Sequence, residues 1–449
     1  MMRLLTTISI GVCWLVLLMG AGARAQTLPA AGPAPQAPSA TQVEPAPPPA
    51  SYVLTPERRA QATAYSRIQY TLYFLGTVLS LGIYLILWRA RIAVAFRDWA
   101  GKASRRHFVQ CLIFVPLFVV LAMLLNLPLD YYSGFVVEHR FGLSTEGFAP
   151  WLGDWGKSLL IVVVGGTVLA WLFYAVVRRS PRRWWFYFWL LSIPLTVVLV
   201  LVEPYVIEPL FYRFTPLERT QPLLVGRIET MLRRAGLSVP PARIFEMDAS
   251  SRTTAVDAYV SGLGASKRVV VWDNTLKQMS SDELLLVLGH ETGHYVLHHI
   301  PKQIALDELV ALFFFVGGFF AFQGLVARAG PRFGVEGVGD LASLPLALVI
   351  LTLMVFLSDP LVNGISRHYE HQADQFGLEV AYGVVPHPNE AEINSLEILG
   401  NVDLADPDPN PFIKFWLYTH PPLDERIRFA AAYKPWAEGK PMELLLRLR

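Results

Sequence analysis

The sequence predicts a mainly α-helical, polytopic membrane fold with a small α/β part set among its membrane helices. Three observations point there. Of 449 residues, 53% are hydrophobic and only 16% charged, whereas soluble domains carry about 25% charged residues. Six apolar stretches are long enough to cross hydrocarbon. Between the fourth and fifth, residues 204–280 turn soluble in composition and read as one helix followed by short β-rich runs. The net charge of +2 selects no partner. No basic run interleaves with aromatics and no Gly-rich phosphate loop occurs, so no nucleic-acid partner is expected. Cys13 and Cys111 both lie in apolar segments, which excludes a disulfide framework or a Cys-based metal site.

Residues 1–25 read as a secretory signal: Arg3, an apolar run from Ile8 to Met19, then Ala23-Arg24-Ala25 before Gln26. The competing reading is an uncleaved first membrane helix. Residues 26–51 are Ala/Pro-rich and expected to be a linker. Expected spans follow at Leu72–Trp88, Phe108–Leu129, Ser158–Val177 and Trp184–Val202, then at Leu309–Val326 and Leu341–Leu357. Between the first two, Arg89, Arg91, Arg97, Lys102, Arg105 and Arg106 face a single acid, Asp98. The link Arg178-Arg179-Ser180-Pro181-Arg182-Arg183 is equally basic. Basic links stay in the cytoplasm, so everything after Leu357 and the stretch around residue 290 are expected on the other side. In the soluble interval, Gln221–Leu237 is expected to be a helix, with strands at Arg243–Met247 and Arg268–Trp272. Ala258, Tyr259 and Val260 form a candidate edge strand, which could be an ordinary sheet edge or could bind an extended peptide by strand addition.

The chemistry is concentrated at His290-Glu291-Thr292-Gly293-His294, an HExxH motif in the stretch Ser280–Ile300. Residues four apart share a helix face, so two imidazoles can aim at one Zn²⁺ while Glu291 is placed as general base. Ser280 and Glu283 match a capping box, Leu284–Leu288 is an apolar run, and Pro301 is expected to stop the helix. A third ligand is needed. Past Leu357, Glu370 and Asp374 sit at i and i+4. Glu370 would complete a His₂Glu set with an open position for water, and Asp374 could accept the other ring N–H of a ligand histidine. His368 and His371 are rivals for the third position, and so are His298 and His299, although on a continued helix these point elsewhere. His420, read alone, is more readily structural.

HETGHY, SRHYEHQADQFG and YTHPPLDERI together resemble the type I CAAX prenyl proteases. VVEHRFGLSTEG (136–147), EPLFYRFTPLE (208–218) and DAYVSGLGASKRVVVWDNTL (257–276) extend the likeness to roughly residues 52–434. The resemblance implies a membrane-embedded zinc metalloendopeptidase with a zincin-like (gluzincin) catalytic part and one Zn²⁺ per chain, held by His290, His294 and Glu370. It also implies Glu291 as base, Asp374 behind the ligands, Arg426 near the zinc carboxylate and His420 as donor to the oxyanion. Residues 258–260 fall in its substrate-strand region. The resulting division is a membrane-helix domain at 52–218, a metallopeptidase domain at 219–434 containing two further membrane helices, and a tail at 435–449. Peptide or protein substrates, including flexible C-terminal segments, and the bilayer of the cell (inner) membrane are the expected partners. The alternatives are a membrane-protein quality-control protease, a silent scaffold, or a transporter.

Overall fold

The computed structural model describes residues 51–262 and 266–446. The expected signal and nearly all of the linker lie outside them. The membrane part begins with α1 (Pro56–Arg89), entered through Pro56 and capped by the Thr55 hydroxyl, which accepts from the Arg58 amide. The amphipathic α2 (Ile92–Ala103) follows, then α3 (His107–Tyr131), α4 (Phe148–Arg179) and α5 (Trp184–Val202). Both α3 and α5 run on through wide i→i+5 turns, at Tyr132–Val137 and Glu203–Ile207.

The soluble layer comprises β1 (Phe214–Pro216), α6 (Pro222–Arg234), β2 (Ile244–Met247), β3 (Ala258–Ser261), β4 (Arg268–Trp272), α7 (Asp273–Gln278) and α8 (Ser281–Val296). Two further long helices return to the membrane, α9 (His299–Ala329) and α10 (Leu344–Ala381). The chain closes with α11 (Pro388–Val402), α12 (Pro411–Leu417), α13 (Leu423–Ala432) and α14 (Glu443–Leu446).

Among the described residues, six helical segments are long and apolar enough to span a membrane. Each exceeds its sequence-predicted length because the helices continue past the hydrocarbon-matched stretch. The 38-residue α10 carries both the apolar run and residues 370–374, with Pro360 inside it. At 1.5 Å per residue it is about 57 Å long, more than a bilayer core needs. Tyr84, Phe114, Phe118, Tyr174 and Phe322 fill the centre of the bundle, while Val78, Leu160, Phe313 and Phe320 point outward.

The sheet order is β1-β2-β4-β3, with β2 and β4 parallel and the other pairs antiparallel. The strand at Phe214–Pro216 escaped the sequence reading; three residues containing a proline give no alternation to detect. Ile228, Met231, Val269, Val271, Leu285, Leu286, Phe376 and Leu378 make a second core joining sheet, α8 and α10. Residues beyond 434, expected as a tail, fold back: Leu444 and Leu445 are buried in this core and their amides donate to Glu379.

The connections 89–107, 179–184 and 330–340 meet at one end of the bundle. There Arg97 bonds Asp340 at 2.5 Å and the Arg178 guanidinium donates to the Gly339 carbonyl at 2.9 Å. The chain enters α9 at His299 and leaves it at that basic end, so the soluble layer occupies the opposite end, about 45 Å away along the helix.

Candidate metal centre

The capping box holds the start of α8: the Ser280 hydroxyl accepts from the Glu283 amide at 3.3 Å, and the Glu283 carboxylate accepts from the Ser280 amide at 2.7 Å. The helix then leans on α10 through glycines. A Cβ at Gly289 would meet the Gly377 Cα and carbonyl oxygen at 3.2 Å, and one at Gly377 would meet the His290 nitrogen at 3.0 Å. Without side chains at this crossing the two backbones nearly touch. That approach carries the imidazoles of α8 to the carboxylate of α10.

His290, His294 and Glu370 are all buried and offer one ligand atom each within 4.8 Å of one another. His290 Nε2 lies 3.1 Å from His294 Nε2 and 3.1 Å from Glu370 Oε2. His294 Nε2 lies 3.6 Å from Glu370 Oε1. Glu370 is fully buried, yet neither of its oxygens has a hydrogen-bond partner. An ionised carboxylate is very costly to leave in that condition.

Behind His290, its Nδ1 is 2.7 Å from Asp374 Oδ1, and Arg426 clamps Asp374 with both Nε (3.0 Å) and Nη2 (2.6 Å). Burial opposes charge on the His290 ring, but its hydrogen bond to Asp374, together with the negative charges of Asp374 and Glu370, outweighs burial and holds its pKa up to about 10. Burial likewise opposes the Arg426 charge, and Asp374 overrides it. Glu392 is buried nearby, and its carboxyl is pushed up to about 7, by burial first and the Asp374 charge second.

The remaining sequence candidates separate by position. His420, partly exposed, puts Nε2 3.1 Å from Glu370 Oε2, while its Nδ1 is 2.8 Å from the Thr419 hydroxyl. Glu291 is half-buried on α8. Ala258, Tyr259 and Val260 are buried in β3, the end strand of the sheet, which packs beside α8; the Tyr259 hydroxyl donates to Glu208 at 2.9 Å. His368 and His371 are exposed on the outer side of α10, and His298 is exposed at a corner. None of these three joins the cluster.

One expectation fails. Pro301 does not stop the HExxH helix. The helix ends at Val296; His298 adopts the left-handed conformation (φ +58°), and Pro301 sits in the first turn of α9, where its missing N–H is harmless. The turn brings in a residue that had been set aside. His299 is fully buried with Nδ1 3.1 Å from His294 Nδ1. The wheel of a continuous helix put it on another face, and only the break at His298 reverses that. The adjacent histidines HHI were the available signal.

Residues 218–434 match Peptidase family M48, and residues 37–213 match the CAAX prenyl protease N-terminal region of five membrane helices. The chain belongs to peptidase family M48, and it is a multi-pass membrane metalloprotease. It is 32% identical to YhfN of Bacillus subtilis, described as an uncharacterized metalloprotease, over 88% of this chain and 89% of that protein. It is 30% identical to CAAX prenyl protease 1 of Saccharomyces cerevisiae over 71% of each. The crystal structure of Ste24p from S. mikatae superposes with a TM-score of 0.71 at 26% identity, covering 83% of this chain and 88% of that one.

The family implies a metal, and the side chains fit one. Two imidazole nitrogens and a buried carboxylate with no hydrogen-bond partner make a His₂Glu donor set suited to Zn²⁺.

Proposed function

We propose that this protein is a zinc endopeptidase that cleaves flexible peptide segments at the layer joining α8, α10 and β3. The observation that carries this reading is the fully buried Glu370 carboxylate, without hydrogen bonds, among the Nε2 atoms of His290, His294 and His420. His290, His294 and Glu370 hold the zinc. Bound there, Zn²⁺ supplies a Lewis acid that polarises the scissile carbonyl and acidifies water. Glu291 takes the proton from the attacking water and delivers it to the departing amine nitrogen. His420, turned by its Thr419 contact, donates from Nε2 to the carbonyl oxygen as negative charge develops. The Arg426–Asp374 clamp fixes the His290 ring through Nδ1 and leaves Nε2 free. Residues 258–260 at the sheet end hold the substrate as an added strand.

The basic connections gather at the end of the bundle opposite the metal cluster. With basic links in the cytoplasm, this supports a cleavage site on the non-cytoplasmic side of the cell membrane. The homologues named CAAX prenyl proteases support a C-terminal segment as substrate. We place the membrane-helix part at 52–218 and the metallopeptidase part at 219–434.

The test is proteolysis by detergent-solubilised protein, with zinc content measured alongside. Wild type and Glu291→Gln are compared on farnesylated and unprenylated C-terminal peptides and on an unfolded membrane protein. Glu291→Gln should keep its zinc and lose about 10²–10⁴-fold in rate, as removal of a general base does. A zinc-loaded variant with full activity would refute the mechanism. Cleavage confined to the unfolded protein would refute the C-terminal substrate.

A further inference from the structure

The two histidines of the HExxH motif are supported in chemically different ways. His290 leans on a carboxylate, itself paired with Arg426. His294 has no carboxylate behind it. Its Nδ1 meets His299 Nδ1 at 3.1 Å, His299 Nε2 meets Gln372 Oε1 at 3.0 Å, and Gln372 Nε2 meets His368 Nε2 at 3.3 Å. The His299 ring is also stacked on Tyr369, with centroids 4.6 Å apart and planes 15° from parallel.

Donors and acceptors along this chain can be matched in one consistent way. The Gln372 amide donates to His368, which turns its oxygen toward His299. That oxygen accepts from His299 Nε2–H, so His299 Nδ1 carries a lone pair. His294 must then donate from Nδ1–H, and its Nε2 is left unprotonated on the side of Glu370. The backbone turns sharply here: His298 occupies the left-handed region, uncommon for a residue other than glycine, and that single residue turns His299 back onto α8.

We propose that His299, oriented by Gln372 and Tyr369, is the positioning residue that selects the metal-binding tautomer of His294. This rests on the reading of His290, His294 and Glu370 as a metal site. The relay is neutral, so it orients the second imidazole without adding a carboxylate to a pocket that already contains Glu370, Glu291 and Asp374.

The experiment measures Zn²⁺ affinity by chelator competition on the full-length, detergent-solubilised protein, together with the melting temperature of the metal-free form. His299→Phe keeps a ring for Tyr369 and removes both nitrogens. Its metal-free melting temperature should match wild type while its zinc affinity falls about 10–100-fold, the usual effect of losing such a partner. His299→Gln, whose side-chain oxygen can accept from His294 and whose amide can donate to Gln372, should recover most of that affinity. Unchanged affinity in His299→Phe overturns the proposal. So does an affinity loss that His299→Gln fails to reverse although it restores the melting temperature, because the residue would then act only through packing. Failure of the wild-type protein to bind zinc at all would instead remove the metal site, and with it the proposed function.

Discussion

The membrane bundle and the metal-binding layer are built from some of the same helices but packed on different principles. Within the bundle, contacts run through large apolar side chains such as Phe114, Phe118, Tyr174 and Phe322, and the outer faces meet lipid with few constraints beyond being apolar. In the layer, α8 and α10 approach through Gly289 and Gly377, and the buried Asp374 charge is held by one specific partner, Arg426. On its lipid-facing side the first kind of packing accepts apolar substitutions without opening a cavity. The second has no slack, because a backbone or a fixed charge stands where a new atom would go.

The sharpest way to break that contrast is to remove a charge partner. Arg426→Leu leaves Asp374, at 3% exposure, without its bidentate cation. Losing one member of a buried pair costs about 3–5 kcal/mol, so thermal unfolding in detergent should show a large drop. The released Asp374 should also let His290 rotate, so zinc content should fall with stability.

Glu392 sharpens the contrast through pH. Burial, and then the neighbouring Asp374 charge, raise its carboxyl from 4.5 to about 7, with Arg426 and His290 opposing. A raised acid is neutral-favouring in the folded state. Its penalty is absent below pH 4.5, grows as pH rises toward 7 and is complete above it, reaching about 3 kcal/mol for that displacement. Glu392→Gln should therefore flatten the fall in stability between these limits. Urea midpoints of chelator-treated protein at pH 5 and pH 8 check this; equal slopes in both proteins would contradict it.

Gly377→Ala tests the helix crossing itself. The added methyl would sit 3.0 Å from the His290 nitrogen and 3.4 Å from the Gly289 carbonyl carbon, neither of which is a flexible side-chain end. Forcing such a fit costs about 1–3 kcal/mol. Because the displaced residue is His290, zinc affinity should weaken together with the melting temperature.

What could be read in advance follows the same division. Apolar length alone marks the spans, since hydrocarbon thickness sets a simple requirement. The HExxH spacing and the Ser280–Glu283 capping box lie within one turn of helix, where sequence distance fixes geometry. Of the rivals for the third position, spacing could not separate Glu370 from His368 and His371, because it cannot say which side of α10 is buried; Glu370 faces α8 and the two histidines face out. The expected span stops at Leu357, yet α10 continues through Ser358, Asp359 and Pro360, with Asp359 accepting from the Tyr73 hydroxyl of α1. His299 was missed because one left-handed residue, His298, breaks the helical period.

The smallest effect should come from the lipid-facing side. Leu160, in the middle of α4, is 63% exposed to the bundle's surroundings. In the membrane, Leu160→Ala exchanges one lipid-contacting apolar group for a smaller one, opening no cavity within the protein. Its stability change should stay within about 0.5 kcal/mol. Leu160→Ala alters more atoms than Gly377→Ala, which adds only a methyl. If the leucine variant nevertheless lost more stability, the outward face would be packed against protein instead of lipid, and the division between a tolerant bundle and an unyielding layer would have to be redrawn at α4.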